Sequence, residues 1–255
     1  MSATTNEFKD QIIVITGGSS GIGLASAQSF INAGAKRVYI TGRSTAKLEQ
    51  AREILGSKAI PVTADAASTS DLQALHDKIA ASGEQIDVLF ANAGIAIHNQ
   101  FGNTTEAEFA TTFDTNVKGL FFTVQSLLPL MKPASAIVLN ASIAASKGMP
   151  NLSLYNASKA AVRSFARSWA NDLKDRKIRV NVVSPGVTRT PIMENGLNMK
   201  EADIANFSAY LVDAAPAGRM ARPEEIAAAV LFLASATASY VNGVELVADG
   251  GLIQV

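Results

Sequence analysis

The stretch Gln11-Ile12-Ile13-Val14-Ile15-Thr16-Gly17-Gly18-Ser19-Ser20-Gly21-Ile22-Gly23 decides the fold. A continuous β-branched run of this kind belongs to a strand buried on both faces, as in the centre of a parallel sheet. It passes directly into glycines spaced Gly-x-x-x-Gly-x-Gly and then into an amphipathic segment that predicts a helix over 21–33. Strand, glycine turn and helix together form a cradle for phosphate: glycines let the backbone come close, and the amides at the helix start donate along a favourable dipole. Gly17, Ser19, Ser20, Gly21, Ile22 and Gly23 supply that cradle. A structural turn would want the same glycines, but the position at the first strand-to-helix crossover favours a dinucleotide.

Outward from this unit, apolar runs alternate with segments of helical period almost to the end of the chain. Strands are predicted at Gln11–Thr16, Lys36–Thr41, Lys58–Val62, Ile86–Ala91, Ser135–Asn140, Ile178–Val183 and Val244–Val247. Helices are predicted at Gly21–Ala33, Thr45–Leu55, Ser70–Ala81, Thr105–Met131, Ser153–Lys174 and Pro223–Ala234. The alternation describes an α/β, doubly wound, seven-stranded parallel Rossmann sheet with helices on both faces. No repeat or Pro/Gly linker divides the 255 residues, so one domain over 1–255 is expected. Between about 186 and 221 the rhythm breaks into Gly, Pro, Asn and Met with short helical stretches. An interval of this length is a substrate-binding lid or a surface excursion.

Composition narrows the function. The 22 Lys+Arg cancel the 22 Asp+Glu, and no run of like charge offers a footprint for nucleic acid or anionic lipid. The absence of cysteine removes disulfides, thiolate metal sites and Cys nucleophiles, and the two histidines lie far apart, so no metal site is expected. The N-terminus Met1-Ser2-Ala3-Thr4-Thr5-Asn6-Glu7 lacks the basic and apolar regions of a signal peptide. The longest apolar stretch, Ile226–Ala234, is about half of the ~20 residues that span a bilayer. These features lead us to expect a cytoplasmic protein with a small-molecule substrate and neither a nucleic-acid nor a membrane partner.

Further motifs follow in order: Asn92-Ala93-Gly94 after the fourth strand, Ser142 after the fifth, Tyr155-Asn156-Ala157-Ser158-Lys159 at the start of a long helix, Pro185-Gly186 after the sixth strand, and Asp249-Gly250-Gly251 near the end. With Thr16 ahead of the glycine loop, this series resembles the short-chain dehydrogenase/reductase family over about the whole chain. The broad pattern is similar to bacterial carbonyl reductases and secondary alcohol dehydrogenases of wide scope, with ketoacyl thioester reductases a near alternative. The resemblance implies a nicotinamide cofactor. An acid at the end of the second strand would accept from the 2′-hydroxyl of NAD and repel a 2′-phosphate. Here the segment reads Thr41-Gly42-Arg43-Ser44. Gly42 stands where NAD-preferring relatives place Asp, and Arg43 offers a planar fork of donors, so NADP(H) is favoured unless Arg43 is simply solvated. The resemblance also implies that Ser44 helps hold the 2′-phosphate, that Asp65 and Ala66 meet adenine, that Asn92, Ala93 and Gly94 run along the adenosine ribose, and that Pro185, Gly186, Val187 and Thr190 contact the nicotinamide end. Turn or capping roles remain open for Asp65 and Thr190.

Tyr155 and Lys159 are four apart on a helix and face the same way. A neighbouring ammonium, with an oxidised nicotinamide adding positive charge, favours the phenolate and would lower the tyrosine's pKa from its usual ~10. In the reductive direction the phenol would donate a proton to a carbonyl oxygen as hydride arrives. By resemblance Lys159 would hold the nicotinamide ribose, Ser142 would orient the substrate oxygen, and Asn116 would support a water-linked proton path to the lysine. Each has an ordinary alternative as a surface pair, turn or helix residue. The substrate side of the pocket is expected from Ser142, Ile143, Met149, Leu152, Tyr155, Ile192 and Leu197, with Ile95, Met193 and His98 nearby. Mostly apolar walls argue for a neutral, partly hydrophobic ketone or secondary alcohol. Arg163, Arg167, Lys174, Arg176 and Lys177 form either a docking patch for an acidic carrier or a solvated face. The helix Ala227–Leu233, apolar almost all round, suits a buried core helix or a partner interface, and the resemblance implies a homotetramer. A catalytically silent dinucleotide-binding regulator remains the competing class, against which the complete Ser142/Tyr155/Lys159 set counts.

Overall fold

The computed structural model describes residues 6–255 of the chain; the stretch from Met1 to Thr5, part of the polar N-terminus discussed above, lies outside the described residues. Strands β1 (Ile12–Ile15), β2 (Arg37–Gly42), β3 (Ala59–Thr63), β4 (Ile86–Ala91), β5 (Met131–Asn140), β6 (Arg179–Pro185) and β7 (Glu245–Ala248) form a single sheet. Its order is β3-β2-β1-β4-β5-β6-β7, and the strand pairings are parallel. Helices α1 (Gly21–Asn32), α2 (Thr45–Leu55) and α9 (Pro223–Ala234) cover one face. The opposite face carries α3 (Thr69–Ala81), α4 (Glu106–Phe113), α5 (Leu120–Leu127) and α6 (Ser153–Asp172).

Strand alternation explains how one apolar run serves two cores. Ile13 and Ile15 of β1 pack with Ala27, Phe30, Ile226 and Val230 on the α1/α9 side. Ile12 and Val14, one residue out of phase, pack with Leu75, Ile79, Leu127 and Val162 on the other. Ahead of β1, Phe8 is fully buried and meets Phe30 edge-on at 4.8 Å, a packing element with no periodic signal to mark it. The reversal of strand order lies between β1 and β4, and a crevice at that point, outside the carboxyl ends of the strands, is where this architecture binds ligands.

Two differences from the predicted elements have physical causes. The single helix expected over Thr105–Met131 opens into a π-helical stretch at Asp114–Gly119 between α4 and α5, then tightens into a 3₁₀ turn at Leu128–Leu130 with Pro129 inside it. Met131, expected at the helix end, is instead the first residue of β5 and pairs with Ile86 across a register shift, which lengthens β5 upstream of the predicted Ser135. The interval after Pro185 contains α7 (Ile192–Asn195) and α8 (Glu201–Ala214). Its base is closed by a bridge between Thr188 and Ala221, with the Ala221 N–H donating to the Val187 carbonyl at 2.8 Å.

The last carbonyls of α9 are satisfied from outside the helix. Arg179 donates to the carbonyls of Leu233 (2.7 Å), Ala234 (3.2 Å) and Ser235 (2.9 Å), and burial holds its pKa below the usual arginine value. Replacing it by methionine keeps the stem but strands these acceptors. Arg179→Met is expected to lower the unfolding free energy by about 1–3 kcal/mol, read as a reduced midpoint at unchanged slope in urea denaturation.

Candidate active site

A cavity of about 1060 Å³ opens at the switch point, walled by the glycine loop, the ends of β2 to β6, the start of α6 and the interval 186–221. The glycine loop is shaped by contact as well as by conformation. Gly17 and Gly21 hold φ of +65° and +53°, which side chains rarely adopt, and a Cβ on Gly23 would fall 2.2 Å from the Gly17 carbonyl oxygen. Gly23 therefore closes the turn against α1 and does not line the cavity, whereas Gly17, Ser19, Ser20, Gly21 and Ile22 do.

Behind the loop runs a chain of hydrogen bonds. Asn92 donates from Nδ2 to the carbonyls of Thr16 (3.0 Å) and Gly17 (3.2 Å), while Thr16 Oγ1 accepts from the N–H groups of Asn92 and Ala93 (both 3.0 Å). Asn140, at the end of β5, donates from Nδ2 to Asn92 Oδ1 at 2.8 Å. The Asn140 carbonyl in turn accepts from Lys159 Nζ at 2.8 Å. The glycine loop and the lysine are thus joined through two asparagine side chains.

Lys159 is only 4% exposed, and burial holds its pKa down to about 8. Its Nζ stands 5.8 Å from the Tyr155 ring centroid. Tyr155 is half-buried; burial pushes its phenol up from the ordinary value, and a hydrogen bond with the Ser142 hydroxyl pulls the other way. The net direction is upward, because desolvation exceeds the pull of the Ser142 hydrogen bond. Ser142 Oγ also accepts from the Ala144 N–H at 3.1 Å, which fixes the hydroxyl at the mouth of a 3₁₀ turn over Ile143–Ala145.

Asn116, in the π-helical stretch, is 1% exposed and does not line the cavity. Its Oδ1 accepts from the Ile95 N–H (2.8 Å), and its Nδ2 donates to the Ile95 carbonyl (2.9 Å) and to Ser158 Oγ (3.0 Å). The side chain clamps the loop after β4 onto α6 beside Lys159.

At one end, Arg43, Ser44, Asp65, Ala66, Ala93 and Gly94 line the cavity. Asp65 closes a turn, Oδ1 accepting from the Ala67 N–H at 3.0 Å. Arg43 is exposed at the rim and makes no side-chain hydrogen bond or ion pair among the described residues. Lys47, one turn into α2, joins it there. No motif in the sequence marks Lys47 for this wall. At the other end Pro185, Gly186, Val187 and Thr190 line the wall, with Thr190 set over Gly21. Ile143, Met149, Leu152, Ile192 and Leu197 form the apolar side, with Ile95, Met193 and His98 also present. Phe207 and Tyr210 of α8, stacked with ring centroids 6.0 Å apart, extend that side. They were not anticipated, because α8 carries no motif and its direction could not be read.

The family model described as enoyl-(acyl carrier protein) reductase matches residues 17–253. The chain belongs to the short-chain dehydrogenase/reductase family. Oxidoreductase asL5 of Sarocladium schorii is 40% identical over 244 residues, covering 95% of each chain. The NADP-dependent (R)-specific alcohol dehydrogenase of Lentilactobacillus kefiri is 34% identical over 254 residues, covering 97% of this chain and 98% of its own. Among solved structures, a short-chain dehydrogenase/reductase from Brucella melitensis superposes with a TM-score of 0.91 at 31% identity, over 98% of this chain and 100% of that one. The chain is accordingly an oxidoreductase of this family.

Burial of Lys159 has a cost in this short-chain dehydrogenase/reductase that can be measured. The unfolded chain keeps the lysine proton up to ~10.4, whereas the folded chain releases it near 8. Between these values the unfolded state binds more protons, so this residue makes stability rise with pH across that window, and the full penalty applies below it. Lys159→Met is expected to stabilise the protein by about 1–3 kcal/mol at pH 7, with the advantage shrinking from pH 8 to 10 in denaturant titrations.

Proposed function

We propose that the protein is an NADP(H)-dependent oxidoreductase that interconverts a neutral, largely apolar ketone and its secondary alcohol, with Tyr155 as the general acid and base. The carrying observation is that Ser142, Tyr155 and Lys159 line the same cavity as the glycine loop.

The residues present fit the dinucleotide. The glycine loop offers a cradle where a Cβ on Gly21 would already press on Thr190 at 3.2 Å, and the Asn92 and Asn140 side chains brace that cradle from behind. Arg43 and Lys47, with Ser44 between them, would hold a 2′-phosphate, and no carboxylate stands at Gly42 to repel it. Asp65 and Ala66 would flank adenine, and Pro185, Gly186, Val187 and Thr190 would receive the nicotinamide end. Lys159 would hydrogen-bond the nicotinamide ribose. The bound cofactor supplies the hydride. Ser142 orients the carbonyl oxygen, Tyr155 donates its proton to that oxygen, and Lys159, cationic below about pH 8, stabilises the phenolate left behind. Met149, Leu152, Ile192, Leu197 and the Phe207/Tyr210 pair favour an apolar substituent on the substrate. The relative from Lentilactobacillus kefiri, named as an NADP-dependent alcohol dehydrogenase, supports the same reading.

The interval 186–221, hinged at the Thr188–Ala221 bridge, acts as the lid of the single domain. A carrier-docking role for the basic face is weaker, because Arg163 is bound to Ser146 and Glu245, and Arg176 donates to the Leu128 and Met131 carbonyls. The reading extends to a cytoplasmic homotetramer that covers Phe232 and Tyr240, which are 43% and 102% exposed.

Tyr155→Phe is expected to abolish ketone reduction while calorimetric NADPH affinity stays within about threefold of the native value; retained turnover would rule out the assigned acid. Arg43→Ala combined with Lys47→Ala is expected to weaken NADPH binding by about 10–100-fold and to leave NADH binding nearly unchanged. Equal loss for both cofactors would assign these side chains to the fold instead.

A further inference from the structure

We infer that Asn99 is a positioning residue for Tyr155, acting as a helix cap supplied from 55 residues away in sequence. The inference rests on the reductase reading above. Helix α6 begins at Ser153, so Tyr155 sits in its first turn, where N–H groups have no partner within the helix. The residue at the cap position is Leu152, whose side chain has no acceptor. Asn99 fills that role. Its Oδ1 accepts from the Leu154 N–H at 3.1 Å, and its Nδ2 donates to Ser153 Oγ and to Thr104 Oγ1, each at 2.9 Å. Its own N–H donates to the Asn151 carbonyl at 2.8 Å. The side chain is 4% exposed, so these bonds are shielded from water.

The consequence is geometric. Asn99 grips the residue immediately before Tyr155, and Asn116 grips Ser158 three residues after it. Both asparagines tie α6 to the segment that follows β4, and Gly94 and Ile95 of that segment line the cavity. The first turn of α6 is therefore pinned on either side of the phenol, and the position of Tyr155 relative to Ser142 depends on both pins. Asn99 itself is not on the cavity wall, so its effect reaches the substrate through Tyr155.

The test compares Asn99→Leu, nearly isosteric but unable to accept or donate, with Asn99→Asp, which keeps the acceptor for Leu154 and can take a hydrogen bond from the Ser153 hydroxyl, while the Thr104 hydroxyl stays on the Gln100 carbonyl. N99L is expected to lower kcat for ketone reduction about 10–100-fold, with the KM for ketone and the Kd for NADPH within about threefold of native. N99D is expected to restore kcat to within about threefold. Amide hydrogen exchange at Leu154 and Tyr155 is expected to accelerate at least about tenfold in N99L and not in N99D. Should N99L fail to fold, Asn99→Gln replaces it: the same amide carried one methylene further cannot meet Leu154 and Ser153 together, and the same losses are expected. A native kcat in N99L, equal impairment in both variants, or loss confined to NADPH binding would overturn the proposal. Unchanged Leu154 exchange in an active enzyme would overturn the cap itself, while an inactive native chain would instead sink the reductase reading on which the catalytic half stands.

Discussion

The side chain of Asn92 is the joint on which the site depends. A parallel sheet ends its strands in a row of unpaired groups at the carboxyl edge, and a glycine-rich turn leaving that edge has little of its own to keep it in shape. Asn92 solves both problems at once, because one amide reaches the Thr16 and Gly17 carbonyls and its oxygen receives Asn140. From Asn140 the constraint passes to Lys159 through a single 2.8 Å bond. A shift in the glycine loop must therefore shift the end of β5 and the lysine with it. The turn that would hold phosphate and the groups that would move a proton belong to one rigid network spanning three strands and one helix.

How much of this could be read from the chain alone follows from the kind of interaction involved. The strands announce themselves because burial on both faces demands unbroken apolar runs, and the helices of the α1/α9 side do so through their period. The segment 105–131 misleads for a definite reason: its period is helical throughout, and a π insertion at Asp114–Gly119 changes the phase by less than composition can register. What decides it is tertiary. A Cβ on Gly119 would fall 2.5 Å from the Ala66 carbonyl, and Asn116 is drawn to Ile95 across the layer. The site residues carried by motifs, Ser142, Tyr155 and Lys159, were legible by order and spacing and now share one cavity. Lys47, Phe207 and Tyr210 were not, because a charge on a helix and an aromatic in a loop-rich interval look the same wherever they point. Asn99 was invisible for a further reason: it caps a helix to which it is not adjacent, and local capping rules look only at neighbours.

Burial acts on Tyr155 and Lys159 together. Spacing alone suggests that a lysine four residues on must acidify the phenol, yet the same packing that brings them together removes water from both. Desolvation raises the phenol and lowers the ammonium, so each drifts toward its neutral form. Gly94 makes that packing tight: a Cβ there would come within 3.3 Å of Lys159 Nζ and 3.2 Å of Asn116 Oδ1. The Asn-Ala-Gly turn therefore has two duties. Its asparagine braces the glycine loop, and its glycine leaves just enough room for a buried cation.

That buried cation is a cost that the stability of the fold does not explain. Stability alone would place an apolar residue at 159, since among the described residues the ammonium has one backbone acceptor and no carboxylate partner to offset its lost hydration. A group so placed titrates near 8, close enough to neutrality that its charge answers to whatever negative charge arises beside it. A phenolate formed at Tyr155 would be such a charge, and in a dry pocket the attraction is far stronger than in water. Under the proposed mechanism the penalty accepted in the ground state would be returned when proton transfer creates the anion, turning a stability defect into a preference for the transition state over the ground state.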